Sequence, residues 1–397
     1  MVRAHSGYFL MRPAEFRATT SLALVFSVRL LGLFMVYPVF AAYAGGLSNA
    51  NPYLVGEALG IYGLTQGLLQ IPFGLLSDKF GRKPVIVIGL LLFAFGSAVA
   101  ALSTSIGGVI FGRALQGTGA VGSVILAMLA DLTSEESRTR SMAVVGITIG
   151  GSFLIALVIG PVISSFVGVP GLFWLMGILG IAGIVITLFI VPTPRRLEVH
   201  GDAETVPRVL GAVLRNRALL RLDIGIFALH AVLTAMFLVV PGLLRATLDV
   251  SADNDWMIYL PVLLVSVVIM GAAVGFERRQ RGQGIFIGAI VALAASNVLM
   301  AWCGGSAVAL VAALVVFFSA FNILEATLPS LVSKTAPREA KGTALGVYSS
   351  LQFLGIFAGG AAGGWLDLHA GSAGVFAFTI VLALLWLVVT LVLRPRA

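Results

Sequence analysis

The chain alternates long apolar stretches with short polar breaks along its whole length. A helix that crosses a bilayer needs about 20 mainly apolar residues. Twelve such stretches are predicted, near 19–43, 54–77, 84–103, 107–131, 140–166, 171–191, 219–245, 256–276, 284–302, 307–332, 342–365 and 372–393. The breaks carry turn signals, as in Gly45-Gly46, Val169-Pro170-Gly171 and Gly304-Gly305. No small-residue cleavage site follows a short apolar core near the start, so the first span is expected to be retained. The pattern predicts an all-α membrane protein with twelve transmembrane helices.

Composition narrows the class further. Hydrophobic residues make up 59% of the 397 and charged residues 11%, against about 45–50% and about 25% in soluble globular chains. A chain this long and this poor in charge cannot cover a water-facing surface, and disorder would require low hydrophobicity. Glycine, at 47 residues, exceeds the usual share and fits close helix packing in membranes. Cys303 is the single cysteine, which excludes an intrachain disulfide.

The net charge of +8 invites a nucleic-acid reading until the positions are inspected. With twelve alternating spans, 22 of the 25 Lys and Arg residues fall on one side. Arg245 lies on the other, and Arg29 and Arg113 lie within spans. Positive residues favour the cytoplasm, so both termini are expected there, in a cell inner (plasma) membrane. The basic excess is topological, and no nucleic-acid partner is expected.

A polar, basic break over 192–218 divides the spans six and six: an N-terminal half over 1–191 and a C-terminal half over 219–397. Within it, 206–217 is expected either as an amphipathic helix on the membrane surface or as a flexible linker. The halves repeat at an offset of about 200 residues: the stretch 132–143 resembles 334–344, and Asp78–Arg82 resembles Glu277–Arg281. Two six-span repeats joined by a linker point to a transporter that rocks about a central cavity.

The loop after span 2 reads Gly74-Leu75-Leu76-Ser77-Asp78-Lys79-Phe80-Gly81-Arg82-Lys83-Pro84. It resembles the signature loop of the major facilitator superfamily, Gly-x-x-x-Asp-x-x-Gly-Arg-Lys. Span 4 carries Arg113-Ala114-Leu115-Gln116-Gly117-Thr118-Gly119, which is similar to that family's second motif. Gly160-Pro161 in span 5 resembles the core of the antiporter motif, although Ala156, Ser164 and Ser165 stand where glycines are usual. The stretches Arg29–Pro38, Ile61–Gln66 and Phe321–Glu325 are similar to the YajR-type branch of drug/proton transporters, and the likeness covers nearly the whole chain. The resemblance implies the major facilitator fold and a proton-driven exporter of small amphipathic compounds.

Several residues acquire expected roles. Gly74, Asp78, Gly81, Arg82, Lys83 and Asp131 are expected to form a conformational latch, with Asp78 facing the start of span 11. The family resemblance implies that Arg82 pairs with Asp131 and that the latch holds the outward-open state. Arg29, Arg113, His230 and Glu325 lie inside spans, where a charge is costly unless it faces a cavity or a partner. They are expected to couple transport to protons, Glu325 as a carrier. The alternatives are a packing histidine at 230, a static ion pair of Glu325 with Arg29 or another base, and a backbone anchor at Arg113. Tyr62, Gln66, Gln70, Asn322, Tyr348 and Gln352 are candidates for the cavity wall. Gly160 and Pro161 are expected to bend span 5 and bring it close to span 8.

There is no phosphate-binding Gly-x-x-x-x-Gly-Lys-Ser/Thr stretch and no metal-ligand cluster, so no enzyme, metal or cofactor is expected beyond the proton gradient. The expected partners are a small-molecule substrate, protons and the lipid bilayer, with the chain a monomer. Two other readings stay open: a metabolite facilitator or proton symporter on the same fold, and a membrane sensor or scaffold without transport.

Overall fold

The computed structural model describes residues 11–193, 205–251, 254–277, 283–337 and 340–393. The first half contains α1 (Pro13–Met35), α2 (Tyr37–Gly45), α3 (Pro52–Phe80), α4 (Arg82–Leu102), α5 (Ile106–Thr118), α6 (Gly122–Leu132) and α7 (Glu135–Val185), which ends in a π-helical turn, Ile186–Ile190. After α8 (Thr205–Arg215), the second half contains α9 (Arg217–Leu248), α10 (Trp256–Glu277), α11 (Gln283–Ala301), α12 (Ala307–Thr335) and α13 (Lys341–Val392).

Among the described residues, ten helical runs are long and apolar enough to cross a membrane. At 51 and 52 residues, α7 and α13 are too long for one crossing. Each is broken at a glycine with positive φ, Gly168 (φ 67°, ψ 175°) and Gly371 (φ 61°, ψ −163°), a region open essentially to glycine alone. Both therefore supply two spans. The remaining crossings are α1–α2, α3, α4, α5–α6, α9, α10, α11 and α12, which gives the twelve expected. Span 1 breaks at Val36, ahead of Pro38, and span 4 breaks over residues 119–121.

The ends of the bundle can be told apart by their contacts. Glu15, in the first turn of α1, accepts hydrogen bonds from Ser134 N and Ser137 Oγ, both at 2.9 Å, at the start of α7. Arg17 Nε donates to Ile190 O at 3.1 Å. These, with the loop after α3, mark the basic end. At the far end the loops after α2 and α4 meet, where Ser48 pairs with Thr104 and Ile106 through backbone bonds.

Close packing between the halves is confined to the middle and the far end. There α3 crosses the first part of α13 with backbone nearly in contact: a β-carbon at Gly56 would stand 2.2 Å from Gly360 O, and one at Gly360 would stand 2.4 Å from Gly56 O. Small residues make this approach possible. Toward the basic end the helices separate. Among the described residues, the hydrogen bonds between the halves are Tyr37–Thr234 and Gln70–Ser349, and none lies nearer the basic end. The cleft between the halves is open at the basic end and sealed at the far end.

Two expectations gain structural detail. Residues 205–215 do form a helix, but its apolar residues Val209, Leu210 and Val213 pack onto the protein core, chiefly against α9 and α13. The amphipathic face is thus spent on the second half. Pro161 lies inside helical backbone, and span 5 leaves the helical region only at Gly168. Gly160 lies against span 1, where a β-carbon would meet Met35 O at 2.2 Å. The small residue serves the approach of span 5 to the break in span 1.

Candidate functional site

The loop between α3 and α4 is organised by one guanidinium. Gly81 (φ 92°) ends α3 and turns the chain into α4, which places Arg82 at a buried helix start. Arg82 Nε donates to Asp131 Oδ2 at 2.9 Å, and its Nη1 lies 2.6 Å from Ser77 Oγ and 2.5 Å from Asp78 Oδ1. Ser77 Oγ in turn donates to Gly74 O. Gly74 passes beside Ser123 on α6, and Lys83 is half-buried in the first turn of α4. All of these contacts lie within the first half. Asp78, whose side chain is 52% exposed, pairs with Arg82 and not with the start of span 11. With the cleft open at this end, the latch residues are gathered on one half only.

Arg29 and Arg113 sit deeper. An Arg29 Nη2 donates to Tyr62 Oη at 2.8 Å and also contacts Gln66 Oε1. Gln66 Nε2 donates to Gln70 Oε1 at 2.9 Å, and Gln70 Nε2 reaches Ser349 Oγ of the second half at 3.3 Å. Arg113 donates to Ala58 O, Leu59 O and Gln116 Oε1 at 3.2–3.4 Å and lies over the Tyr62 ring at 5.1 Å. Gln116 Nε2 continues to Ser97 Oγ at 2.8 Å. The helix carbonyls of α3 keep a free lone pair, which is what a buried guanidinium can use. Arg29, Tyr62, Gln66 and Gln70 thus form one network that ends at the boundary between halves.

The second half presents its own cluster at similar depth. Gln352 Nε2 lies 2.9 Å from His230 Nε2 and 3.3 Å from Glu325 Oε1, and His230 Nε2 lies 3.9 Å from Glu325 Oε2. With Nδ1 of His230 at 3.3 Å from Ile226 O, the ring fits the tautomer that carries its proton on Nδ1 and accepts from Gln352. Glu325 therefore faces His230, and Arg29 is engaged elsewhere. Among the described residues, Glu325 Oε2 and Tyr348 Oη are buried without a hydrogen-bond partner. Asn322, grouped with the cavity on sequence, instead donates to Ser266 Oγ on α10 at 3.0 Å, inside its own half.

Other residues were not singled out from the sequence. Asp223 is buried on the second turn of α9, with Oδ1 lacking a partner. Its place inside a span was the available signal. Ser349 and the aromatic residues Phe153 and Phe321 carried no signal at all, because serines and phenylalanines are spread through every span.

Comparison with known proteins agrees with this geometry. The family model described as Major Facilitator Superfamily matches residues 22–360. The chain is 43% identical over 385 residues to the inner membrane transport protein YajR of Escherichia coli (strain K12), covering 96% of this chain and 84% of that one. It is 31% identical over 141 residues to a class H tetracycline resistance protein of Pasteurella multocida, covering 35% of this chain and 34% of that one. Among solved structures, a bacterial homologue of the human lysosomal transporter Spinster, titled as inward-facing and occupied, superposes with a TM-score of 0.77 at 13% identity, over 96% of this chain and 97% of that one. The fold and motifs define a multi-pass membrane transporter and not an enzyme. The chain belongs to the major facilitator superfamily.

Proposed function

We propose that this transporter is driven by the proton gradient and exports small amphipathic compounds by alternating access between its two halves. The observation that carries the reading is the Glu325–His230–Gln352 cluster: a carboxylate with one oxygen unpartnered, facing an imidazole at mid-span, on the half opposite two fixed guanidinium groups. A buried carboxylate left partly unsatisfied is costly to keep charged, so such positions are reserved for groups that change protonation as part of the work. Arg29 and Arg113 supply the fixed positive charge of the first half. Near mid-span, where α3 packs on α13, the polar groups of Tyr62, Gln66, Gln70 and Gln352 lie beside the Phe353 ring, a mixed surface that suits ligands part polar and part apolar once the halves part.

The basic end is assigned to the cytoplasm by the positive-inside rule, with both termini there and the chain in the inner membrane as a monomer. On this assignment the structure is inward-open, and Arg82, Asp78 and Asp131 form the latch that reassembles across the halves when the cleft reverses. The name of the Pasteurella relative supports drug export, and that of the Escherichia relative supports an inner-membrane transport role.

The test is proton movement in proteoliposomes that contain a trapped pH indicator and a panel of fluorescent amphipathic compounds. Substrate addition is expected to move protons in the opposite direction, and Glu325→Gln is expected to abolish that movement while leaving the protein folded. Unimpaired proton-coupled transport by Glu325→Gln would overturn the assignment of the carrier.

A further inference from the structure

The far-end seal ends in aromatic contacts that lie one to two helical turns outward of the Glu325 cluster. Phe321 is four residues, about one turn, from Glu325 toward the far end of α12. Phe237 is seven residues, about two turns, from His230 in the same direction on α9. Among the described residues, three ring contacts cross between the halves. In this outer layer Phe153 of α7 meets Phe321 with centroids 5.2 Å apart and Tyr37 of α2 meets Phe237 at 5.4 Å, while Tyr62 of α3 meets Phe353 of α13 at 6.3 Å, level with Gln352. Phe153 and Phe321 are buried, which shows that this layer seals the cleft.

Phe321 is distinguished by what lies on its other side. Its ring meets the His230 imidazole edge to face, at 5.8 Å between centroids and 62° between planes. His230 is the partner of Glu325. One side chain therefore touches both the opposite half and the ionisable pair. Close-packed interiors transmit small displacements because they hold discrete arrangements and do not deform continuously.

Resting on the proton-coupled reading above, we propose that Phe321 is the positioning residue that carries the charge state of the Glu325–His230 pair to the far-end gate, through its contact with Phe153. The groups surrounding the pair set what else can respond to pH. In its own half these are Tyr348 on α13 with Asp223 on α9 behind it; the facing elements α7 and α10 present Phe153 and Ser266, which do not titrate. In the opposite half, Tyr37 is bonded to Thr234 at 3.4 Å, and Arg29 and Arg113 are both held at Tyr62. Loading the proton from outside must permit the gate to close, so acid favours the sealed far end and alkali the open one.

The experiment uses the full chain in lipid nanodiscs with Cys303→Ser and spin labels at Asn49→Cys and Ser251→Cys, on the far-end loops of opposite halves. Distance distributions by electron–electron double resonance report the sealed and open populations at an acid and an alkaline pH. The ratio is expected to shift about fivefold or more between the two pH values in the otherwise unaltered protein. Phe321→Ala and Phe153→Ala are each expected to leave the ratio nearly constant with pH. Phe321→Leu, which keeps the volume without the ring, gives the same reading if the alanine variant folds poorly. Phe317→Ala removes a ring stacked on Phe321 at 6.4 Å, and is expected to keep the pH response. A full pH response in Phe321→Ala or Phe321→Leu overturns the inference, as does equal loss in Phe317→Ala. Glu325→Gln separates the two levels: a pH response that survives in it overturns the carrier assignment, whereas loss in Glu325→Gln with retention in Phe321→Leu overturns Phe321 alone.

Discussion

In the first half, Arg113 has three hydrogen-bond partners and a ring beneath it, and Arg29 contacts Tyr62 and Gln66. Among the described residues of the second half, Glu325 Oε2 and Tyr348 Oη at comparable depth, and Asp223 Oδ1 nearer the basic end, are buried with no hydrogen-bond partner. One repeat unit has thus given two electrical designs. The first fixes permanent charge in a knit scaffold: a guanidinium cannot lose its proton, and Arg113 and the Nη2 of Arg29 find acceptors, although Arg29 Nε finds none among the described residues. The second leaves ionisable groups short of partners, an arrangement sustainable when the groups can be neutral for part of a cycle. The contrast places rigidity on one side of the cleft and adaptability on the other.

The contrast can be broken by substitution. Arg113→Lys carries the largest expected cost, about 3 kcal/mol of stability, since an ammonium cannot reach Ala58 O, Leu59 O and Gln116 together. Thermal unfolding in detergent reads it, and a loss under about 1 kcal/mol would contradict the scaffold role. Tyr62→Phe removes one of the two acceptors of Arg29 and should cost about 1.5–2 kcal/mol in the same assay. Asp131→Asn, which removes the buried one of the two carboxylates paired with Arg82, should cost about 1–2 kcal/mol, whereas Asp78→Asn, at an exposed position, should stay within about 0–1 kcal/mol. The smallest effect is expected from Tyr348→Phe in the second half. Deleting a hydroxyl that has no partner should leave stability within about 0.5 kcal/mol of the parent or raise it. A loss as large as that of Tyr62→Phe would erase the distinction between halves.

Much of the architecture was legible in the sequence because a bilayer allows few solutions. Apolar length set the number of spans, and the placement of Lys and Arg set their alternation. The motif loop could be read because Gly81, Asp78 and Arg82 stand at a spacing that a helix end and a tight turn require. Asn322 and Gln352 show the limit. Both are polar residues inside spans, yet Asn322 faces Ser266 within its half and Gln352 joins His230 and Glu325. Helix rotation separates them, and an apolar span in lipid has no polar face to reveal its rotation.

What the sequence determined by itself is therefore the class: twelve spans, two related halves, a basic end, and a small set of ionisable residues that the bilayer makes expensive. Tertiary structure alone decided the partners. It put Glu325 against His230 and Arg29 against Tyr62, set Gly160 against the break in span 1, and set α8 on the core. It also sealed the far end with Phe153 on Phe321. The reason is physical: hydropathy is a property of each segment, whereas pairing depends on the rotation and crossing of helices whose lipid-facing and buried sides are equally apolar.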